Sequence, residues 1–155
     1  MRNSLQKRTW AEVSLDNISH NYRAIRAALP EGCRFLGVVK ADAYGHGAVA
    51  VARLLESEGA DYLAVSCLDE AMELRSAGIT MPLLILGHTP SEYTETLIDN
   101  DITQTVSCLA KAQEFSARAA ALGRQLRIHI KIDTGMSRLG FLCGGEPLRL
   151  GKAGH

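Results

Sequence analysis

The sequence has no excess of charge of either sign and no long apolar run. Lys plus Arg and Asp plus Glu each number 17 among the 155 residues, so the formal net charge is zero. A balanced charge gives no electrostatic reason to expect a nucleic-acid or membrane partner. No apolar run approaches the roughly 20 residues that a membrane span needs, and no apolar segment of a secretion signal follows the basic start. We therefore predict one soluble globular domain in the cytoplasm.

The sequence also lacks closely spaced cysteines. Cys33, Cys67, Cys108 and Cys143 stand far apart, and no CxxC pair occurs. This spacing argues against a zinc site or a redox motif, so no metal is predicted. We expect all four to be reduced thiols in the core of a cytoplasmic protein.

What the sequence does contain is a repeated alternation of short apolar runs and amphipathic stretches. The apolar runs, which predict strands, lie at 34–40, 61–66, 82–87, 102–107 and 126–133. The helical stretches lie at 47–59, 68–78, 91–100 and 108–123, and a further helix precedes them within 9–30. Alternating units of this length predict an α/β fold with a parallel sheet and helices packed outside it.

Two helix starts carry predicted caps. Asp16 or Asn17 is expected to cap the first helix, and Ser91 the helix at 91–100.

The sheet itself could be an open doubly wound sheet or a (β/α)8 barrel. Neither GxGxxG nor GxxxxGK[ST] follows the first strand of the series, which weakens the dinucleotide-binding and P-loop interpretations.

Polar and apolar residues alternate in the fifth predicted strand. Isoleucines stand at 128, 130 and 132, and between and after them stand His129, Lys131 and Asp133. A period of two places the isoleucines on one face and the three polar side chains on the other. If both faces are covered, as is usual in a parallel sheet, the polar face indicates a functional cavity. A half-solvated edge strand is the alternative.

Lys40 ends the first apolar run of the series and is followed by a polar stretch, ADAYGHG at 41–47. In parallel α/β folds, the loops that follow the strands carry the active site. A lysine desolvated at such a position is suited to act as an amine nucleophile. The alternative is an ordinary solvated loop lysine.

The stretch KADAYGHG at 40–47 resembles the cofactor-lysine motif of alanine racemases, which are pyridoxal-phosphate enzymes. The resemblance implies that Lys40 binds the cofactor covalently and then acts as one of two acid/base groups, on the D-alanine side. It implies that Tyr44 hydrogen-bonds the cofactor phosphate. Gly45 and Gly47 would let the backbone turn into the next helix, and His46 is expected to make a local hydrogen bond or serve as a hinge.

A second stretch, IKIDTGMSRLGF at 130–141, resembles another signature of the same family. The resemblance implies that Arg138 contacts the phenolic oxygen of the cofactor and the carboxylate of the substrate, a role that suits a permanently charged fork of donors. Lys131 matches a position that many members carry as a carbamylated lysine. A carbamate there would pair with Arg138 and relieve a repulsion between two cations. The alternative is a plain lysine paired with Asp133.

The resemblance implies a fold and its limits. Residues 9–142 would form about the first five βα units of a (β/α)8 TIM barrel, without the last barrel strands and without the C-terminal β-domain. A complete barrel typically needs about 250 residues. Residues 143–155 are rich in glycine and are expected to form an irregular tail, as a truncation, a frameshift or a gene fragment would leave.

The implied function is the interconversion of L- and D-alanine for peptidoglycan precursors, in a homodimer. The second base of that mechanism is a tyrosine from the β-domain of the partner subunit, and no tyrosine in this chain matches its motif. The isolated chain is therefore expected to be inactive. Three alternatives remain: a racemase that also accepts serine, a non-racemising barrel that binds pyridoxal phosphate, and an inactive fragment.

Overall fold

The computed structural model describes residues 9–142, so the predicted irregular tail at 143–155 and Cys143 lie outside the described residues. The helices are α1 Leu15–Ala28, α2 Lys40–Gly45, α3 Ala48–Ser57, α4 Leu68–Ser76, α5 Thr94–Asp99 and α6 Leu109–Ala121, with a 3-10 turn at Ser91–Tyr93. The strands are β1 Leu36–Val38, β2 Tyr62–Val65, β3 Leu83–Ile85, β4 Ile102–Val106, β5 Ile128–Ile130, β6 Ile132–Asp133 and β7 Phe141–Leu142. Within residues 9–142, no helix is long and apolar enough to cross a bilayer.

Strands β1 to β5 form one parallel sheet in chain order. The prediction of a parallel α/β fold built from five successive units is therefore confirmed. Within the described residues the sheet stays open, with β1 and β5 as its edges, and β6 and β7 form a separate two-stranded pair. This is the partial barrel that the family resemblance implies, since each strand pairs with the next one in chain order, as in a (β/α)8 barrel.

The hydrophobic core lies between the sheet and the helices. Alternate strand residues face the helices, and they are almost fully buried: Leu63, Val65, Leu83, Ile85, Ile102 and Val106. The helices cover them with Val51, Leu55, Leu74, Leu97 and Phe115. Each such side chain contributes about 1.5–3 kcal/mol when buried. The core holds the five strands in register and so fixes where each strand ends.

The opposite face of the sheet, which we call the inner face, is apolar on β1 to β3 apart from Tyr62 and polar on β4 and β5. The register aligns Val38, Ala64, Leu84 and Thr103 across β1 to β4, and Thr105 with His129 on β5. The Tyr62 hydroxyl lies 2.5 Å from the Thr103 hydroxyl, and its ring centroid lies 6.0 Å from that of His129. These contacts place His129 on the inner face, as the alternation predicts. The single predicted strand at 126–133 is wrong, however, because β5 ends at Ile130 and Ile132–Asp133 pair with β7 in a separate sheet. The three polar side chains therefore do not share one face of one strand.

The covered cavity expected around the fifth strand is not present in the described residues. Strand β5 is an edge strand, and its isoleucines Ile128 and Ile130 are 40% and 50% exposed. The alternative of a half-solvated edge strand is therefore the correct description of this part of the chain. The reason is topological, because an edge strand has a neighbour on one side only.

Both predicted helix caps are wrong. Ser14 caps α1, since its hydroxyl accepts a hydrogen bond from the Asn17 backbone N–H at 3.3 Å. Asp16 lies in the first turn instead, where a carboxylate favours the helix dipole. Ser91 opens the 3-10 turn, and its carbonyl accepts from the Thr94 hydroxyl.

The expectation of core thiols is also wrong for two cysteines. Cys33 and Cys108 are exposed, and Cys67 is half-buried. Cys33 follows the turn after α1, and Cys108 and Cys67 directly precede α6 and α4. Helix boundaries lie at the surface, which outweighs the usual tendency of cysteine toward burial.

Candidate active site

The carboxyl ends of the five parallel strands bring polar side chains to one edge of the sheet. Lys40, Ser66, His88, Ser107 and Lys131 each come one to three residues after the end of a strand. In parallel sheets this edge is where functional side chains converge, because all strands point the same way. The two motifs singled out in the sequence therefore begin at the same edge, one after β1 and one after β5.

Lys40 opens a turn with an unusual backbone. Ala41, Asp42, Ala43 and Tyr44 all lie in the left-handed region, with φ of 51°, 54°, 50° and 55°. For L-residues this conformation costs about 1–2 kcal/mol per residue. The sequence predicted a strand as far as Lys40 and a loop after it, and a run of left-handed residues without glycine was not predicted. Such strain persists only where surrounding contacts hold it.

Gly45 and Gly47 continue the positive φ at 86° and 89°, which confirms that the two glycines let the backbone turn into α3. His46 lies between them, and its Nδ1 is 2.8 Å from the Ala43 carbonyl oxygen. The predicted local hydrogen bond of His46 is therefore present.

The far end of the turn is held by Asp42. Its side-chain oxygen accepts from the Ala48 backbone N–H at 2.7 Å, and its carbonyl accepts from the Gly47 N–H at 3.0 Å. The carboxylate therefore satisfies an N–H at the start of α3, where no intrahelical partner exists. The Asp42 position in the motif thus has a structural role.

The near end of the turn is held by Glu70, which the sequence interpretation missed. From the first turn of α4, Glu70 Oε1 accepts from the Ala41 backbone N–H at 2.8 Å. Its other oxygen, Oε2, accepts from the Ser66 backbone N–H at 2.7 Å and from the Ser66 hydroxyl at 2.8 Å. Nothing in the local sequence signals this contact, because Ala41 lies 29 residues away.

The pKa of Glu70 reflects these contacts. Burial by itself would raise the pKa of the Glu70 carboxyl, but hydrogen bonds from the backbone of Ser66 and Ala41 outweigh burial and hold the pKa below its usual range. The carboxylate is therefore the stable form of Glu70 at neutral pH, and it can accept hydrogen bonds at both oxygens.

The turn brings Lys40 and Tyr44 together. The Lys40 amine lies 5.9 Å from the centroid of the Tyr44 ring, a distance compatible with a weak cation–π contact. Lys40 is half-buried, whereas Tyr44 is 64% exposed. Lys40 takes part in none of the five ion pairs among the described residues. Its amine is thus not engaged by a carboxylate there.

The second motif is organised by Asp133, another role that the sequence interpretation did not assign. Asp133 is buried, and its Oδ1 accepts from the backbone N–H groups of Gly135 at 3.0 Å and Ser137 at 2.9 Å. The pairing of β6 with β7 closes the loop, and Phe141 N–H donates to the Lys131 carbonyl at 2.9 Å. Arg138 belongs to this loop and is exposed. An Asp followed two residues later by Gly is a turn signal that could have revealed the arrangement.

Lys131 does not pair with Asp133 in the described residues, so the predicted ion pair with Asp133 is wrong. The Asp133 carboxylate is engaged by the loop backbone, and Lys131 is absent from the ion pairs of residues 9–142. Lys131 instead lines a small cavity of about 30 Å³ together with His88, Thr105 and Ser107. The Thr105 hydroxyl is buried and has no hydrogen-bond partner within the part of the chain described.

The predicted site residues thus fall into two groups. Lys40 and Tyr44 lie after β1, and Lys131 and Arg138 lie after β5, with three strands between the two groups. The described residues show no contact between the groups. Both groups lie at the carboxyl edge of the same sheet.

The Asp133 contacts generate a pH prediction. Hydrogen bonds from the Ser137 and Gly135 backbone lower the pKa of the Asp133 carboxyl, although burial opposes them. An unfolded aspartate titrates near pH ~3.9, so the stabilisation of this loop is complete above that value and is lost as the pH falls through the lower folded pKa. We expect the amide proton signals of Gly135 and Ser137 to shift in NMR spectra at a midpoint below pH ~3.9.

The variant Asp133→Asn has no carboxyl at this position and should lose that acid step in both amides. Asp69→Asn, which changes an exposed aspartate on α4, should keep it. An acid step of the same size at Gly135 and Ser137 in Asp133→Asn would show that another group controls the loop.

Comparison with known proteins places this geometry in a family. The family described as "Alanine racemase, N-terminal domain" matches residues 13–153. The alanine racemase of Clostridium perfringens (strain SM101 / Type A) is 50% identical over 139 residues, which are 90% of this chain and 36% of that protein. The alanine racemase of Desulfosudis oleivorans is 47% identical over 131 residues, covering 84% of this chain and 34% of that protein.

The fold matches as well. A solved structure of alanine racemase from Clostridium difficile 630, in complex with cycloserine, superposes with a TM-score of 0.84 at 49% identity, covering 92% of this chain and 39% of that one. This match confirms that the open five-stranded sheet is part of a TIM-barrel domain. The chain spans about a third of the length of the curated relatives it matches. Because the family match covers nearly the whole sequence, the chain belongs to the alanine racemase N-terminal domain family.

Proposed function

We propose that this chain forms the lysine-bearing part of a racemase active site that uses pyridoxal phosphate and interconverts L- and D-alanine. The observation that carries the proposal is the turn at Lys40–Gly45, which places an amine and a phenol side by side at the carboxyl edge of the sheet. The turn occurs within a chain of the alanine racemase family. The interpretation of Lys40 as a solvated loop lysine is less favoured, because Lys40 is half-buried.

The chemistry of the side chains fits an anionic aldehyde cofactor. Lys40 offers a primary amine, Tyr44 a phenol, and Arg138 a guanidinium. Three carboxylates contact the backbone of the two motifs and accept from backbone N–H groups there, so their charge is already compensated: Asp42, Glu70 and Asp133. An anionic ligand at this edge would therefore meet donors and cations with little repulsion.

Pyridoxal phosphate, when bound, supplies an electron sink for the negative charge that develops at the α-carbon of an amino acid. We assign Lys40 to attach the cofactor through its amine and to hold or move a proton at Nζ on one face of that carbon. The Tyr44 hydroxyl would donate to the phosphate. The Arg138 fork would bind the phenolic oxygen and the carboxylate of the amino acid.

A two-base racemase needs a second proton donor on the opposite face, and the tyrosines of this chain do not supply one. Tyr22 is buried against Phe35, Tyr62 is bonded to Thr103, and Tyr93 lies on the 3-10 turn before α5. Tyr44 lies beside Lys40. We therefore propose that the second base is a tyrosine of a partner subunit in a homodimer. By itself the chain would bind the cofactor without efficient racemisation, whether the substrate is alanine alone or also serine.

We also propose that the Lys131 amine reacts with carbon dioxide, forming an N–C bond and releasing a proton, so that the carbamate anion pairs with Arg138. Lys131 is half-buried among His88, Thr105 and Ser107, and the described residues give it no carboxylate partner. A carbamate would supply an anion in the same loop region as the permanently charged Arg138 guanidinium.

Carbon-13 NMR in buffer with labelled bicarbonate tests this modification. We expect one carbamate signal that disappears on mild acidification and is missing from Lys131→Arg. The control Lys111→Arg changes a second lysine that lines the same cavity but pairs with Glu114, and it should keep the signal. A folded wild-type chain without the signal would contradict the modification.

Attachment at Lys40 can be tested without measuring turnover. Pyridoxal phosphate is added to the chain, and borohydride then makes any link to a lysine permanent before peptide mass spectrometry. We expect the label on the Lys40 peptide, because Lys40 is held at the edge of the sheet, and its loss in Lys40→Arg, which keeps the charge but not the nucleophile. The variant Lys111→Arg should carry as much label on Lys40 as the wild type does. Uniform labelling of all lysines would contradict the proposed site.

Proton transfer is followed by solvent deuterium exchange at the α-carbon. With cofactor present, we expect the chain to exchange the α-proton of D-alanine faster than it forms L-alanine, because only the Lys40 base is present. Lys40→Arg should slow exchange by about 10²–10⁴-fold, toward the rate of free cofactor. Racemisation by the chain alone as fast as exchange would show that a second base is already present.

A further inference from the structure

One side chain, a carboxylate, joins the turn that carries Lys40 to the neighbouring strand, in addition to the backbone hydrogen bond from the Val39 N–H to the Ala64 carbonyl at 2.9 Å. Glu70 Oε1 accepts from the Ala41 N–H, next to Lys40, and Glu70 Oε2 accepts from the Ser66 N–H, one residue after β2. The side chain therefore links the first left-handed residue of the turn with the carboxyl end of the adjacent strand and with α4. Ala41 is exposed, so its own side chain gives the turn no packing.

Asp42 holds the turn differently. Its contacts join the turn to the following residues 47 and 48, at the start of α3. They preserve the local shape of the chain, but they do not fix the turn against β2. Among the described residues, Glu70 is the side chain that makes this second connection.

The contacts need a carboxylate in particular. Both oxygens of Glu70 accept from backbone N–H groups, which cannot reverse their role. A glutamine has one accepting oxygen and one NH₂ group. In either orientation it would place a donor against a backbone donor, at Ala41 or at Ser66. The isosteric change from Glu to Gln therefore breaks one of the two connections.

We propose that Glu70 is a positioning residue for Lys40: its carboxylate fixes the left-handed turn against the end of β2, and so sets where the Lys40 amine lies. This inference rests on the proposed function, in which the Lys40 amine is the reacting group. Glu70 itself does not need to contact cofactor or substrate.

The test compares Glu70→Gln with Glu73→Gln, a matched change of an exposed glutamate on the same helix. Two quantities are measured on the full chain. The first is the ratio of pyridoxal-phosphate label on Lys40 to label on Lys111 in the same digest after borohydride. The second is the hydrogen-exchange protection of the Ala41 amide relative to amides of α6.

We expect Glu70→Gln to lower the Lys40 to Lys111 label ratio by about tenfold, as the loss of one charge-assisted hydrogen bond predicts. The Ala41 amide should lose protection while the amides of α6 keep theirs, since a local loss of positioning leaves the core intact. Glu73→Gln should match wild type in both quantities. Wild-type labelling and wild-type Ala41 protection in a folded Glu70→Gln variant would overturn the inference.

A second variant, Glu70→Asp, keeps the charge on a shorter arm that cannot reach Ala41 and Ser66 together. The comparison uses whichever variant keeps the wild-type circular dichroism. If neither folds, Glu70 is required for the fold as a whole and the specific positioning role is overturned. If wild type labels no lysine selectively, the proposed function fails, and Ala41 exchange still decides whether Glu70 holds the turn.

Discussion

Parallel pairing of five strands is the constraint on which the rest of this structure depends. Because every strand points the same way, the residues that follow β1 and β5 reach the same edge, although 91 positions separate Lys40 from Lys131. The apolar residues on the helix side hold the strands in register and carry most of the burial. The inner face combines apolar side chains on β1 to β3 with polar ones such as Thr103 and His129 on β4 and β5. The parallel arrangement thus puts the hydrophobic core on the helix side of the sheet and the candidate site at its carboxyl edge.

The first motif shows how local strain and support are combined. Ala41 to Tyr44 adopt a backbone that L-residues avoid. Two carboxylates compensate for it, Asp42 toward α3 and Glu70 toward β2. The second motif uses a third carboxylate, Asp133, in a related way. After each of the two edge strands, β1 and β5, acidic side chains bind backbone N–H groups. Within the described residues, the cationic side chains Lys40 and Arg138 are left without a direct carboxylate partner.

Much of the fold could be predicted from the sequence, because hydrophobic period and helix stops are local signals. The five strands of the main sheet and the helices between them follow from such patterns. Their order in the sheet does not, because the pattern allows both a doubly wound sheet and a barrel, and it was the family resemblance that implied the barrel order. The caps were harder: Ser14 caps α1 although Asp16 and Asn17 are equally good cap residues. Which residue is the cap depends on where the helix starts, and local propensity does not locate the start of a helix to within two residues. The exposure of Cys33 and Cys108 likewise depends on where the helices end.

By itself the sequence determined the family, the parallel α/β fold and the identity of Lys40, Tyr44, Lys131 and Arg138 as the residues to examine, since motif and periodicity are written in neighbouring positions. Only the tertiary structure decided the left-handed turn and the roles of Glu70 and Asp133. The Ala41 backbone N–H donates to a carboxylate 29 residues away, a contact that no local propensity encodes. Such contacts exist only once the helices have packed against the sheet and brought distant residues together.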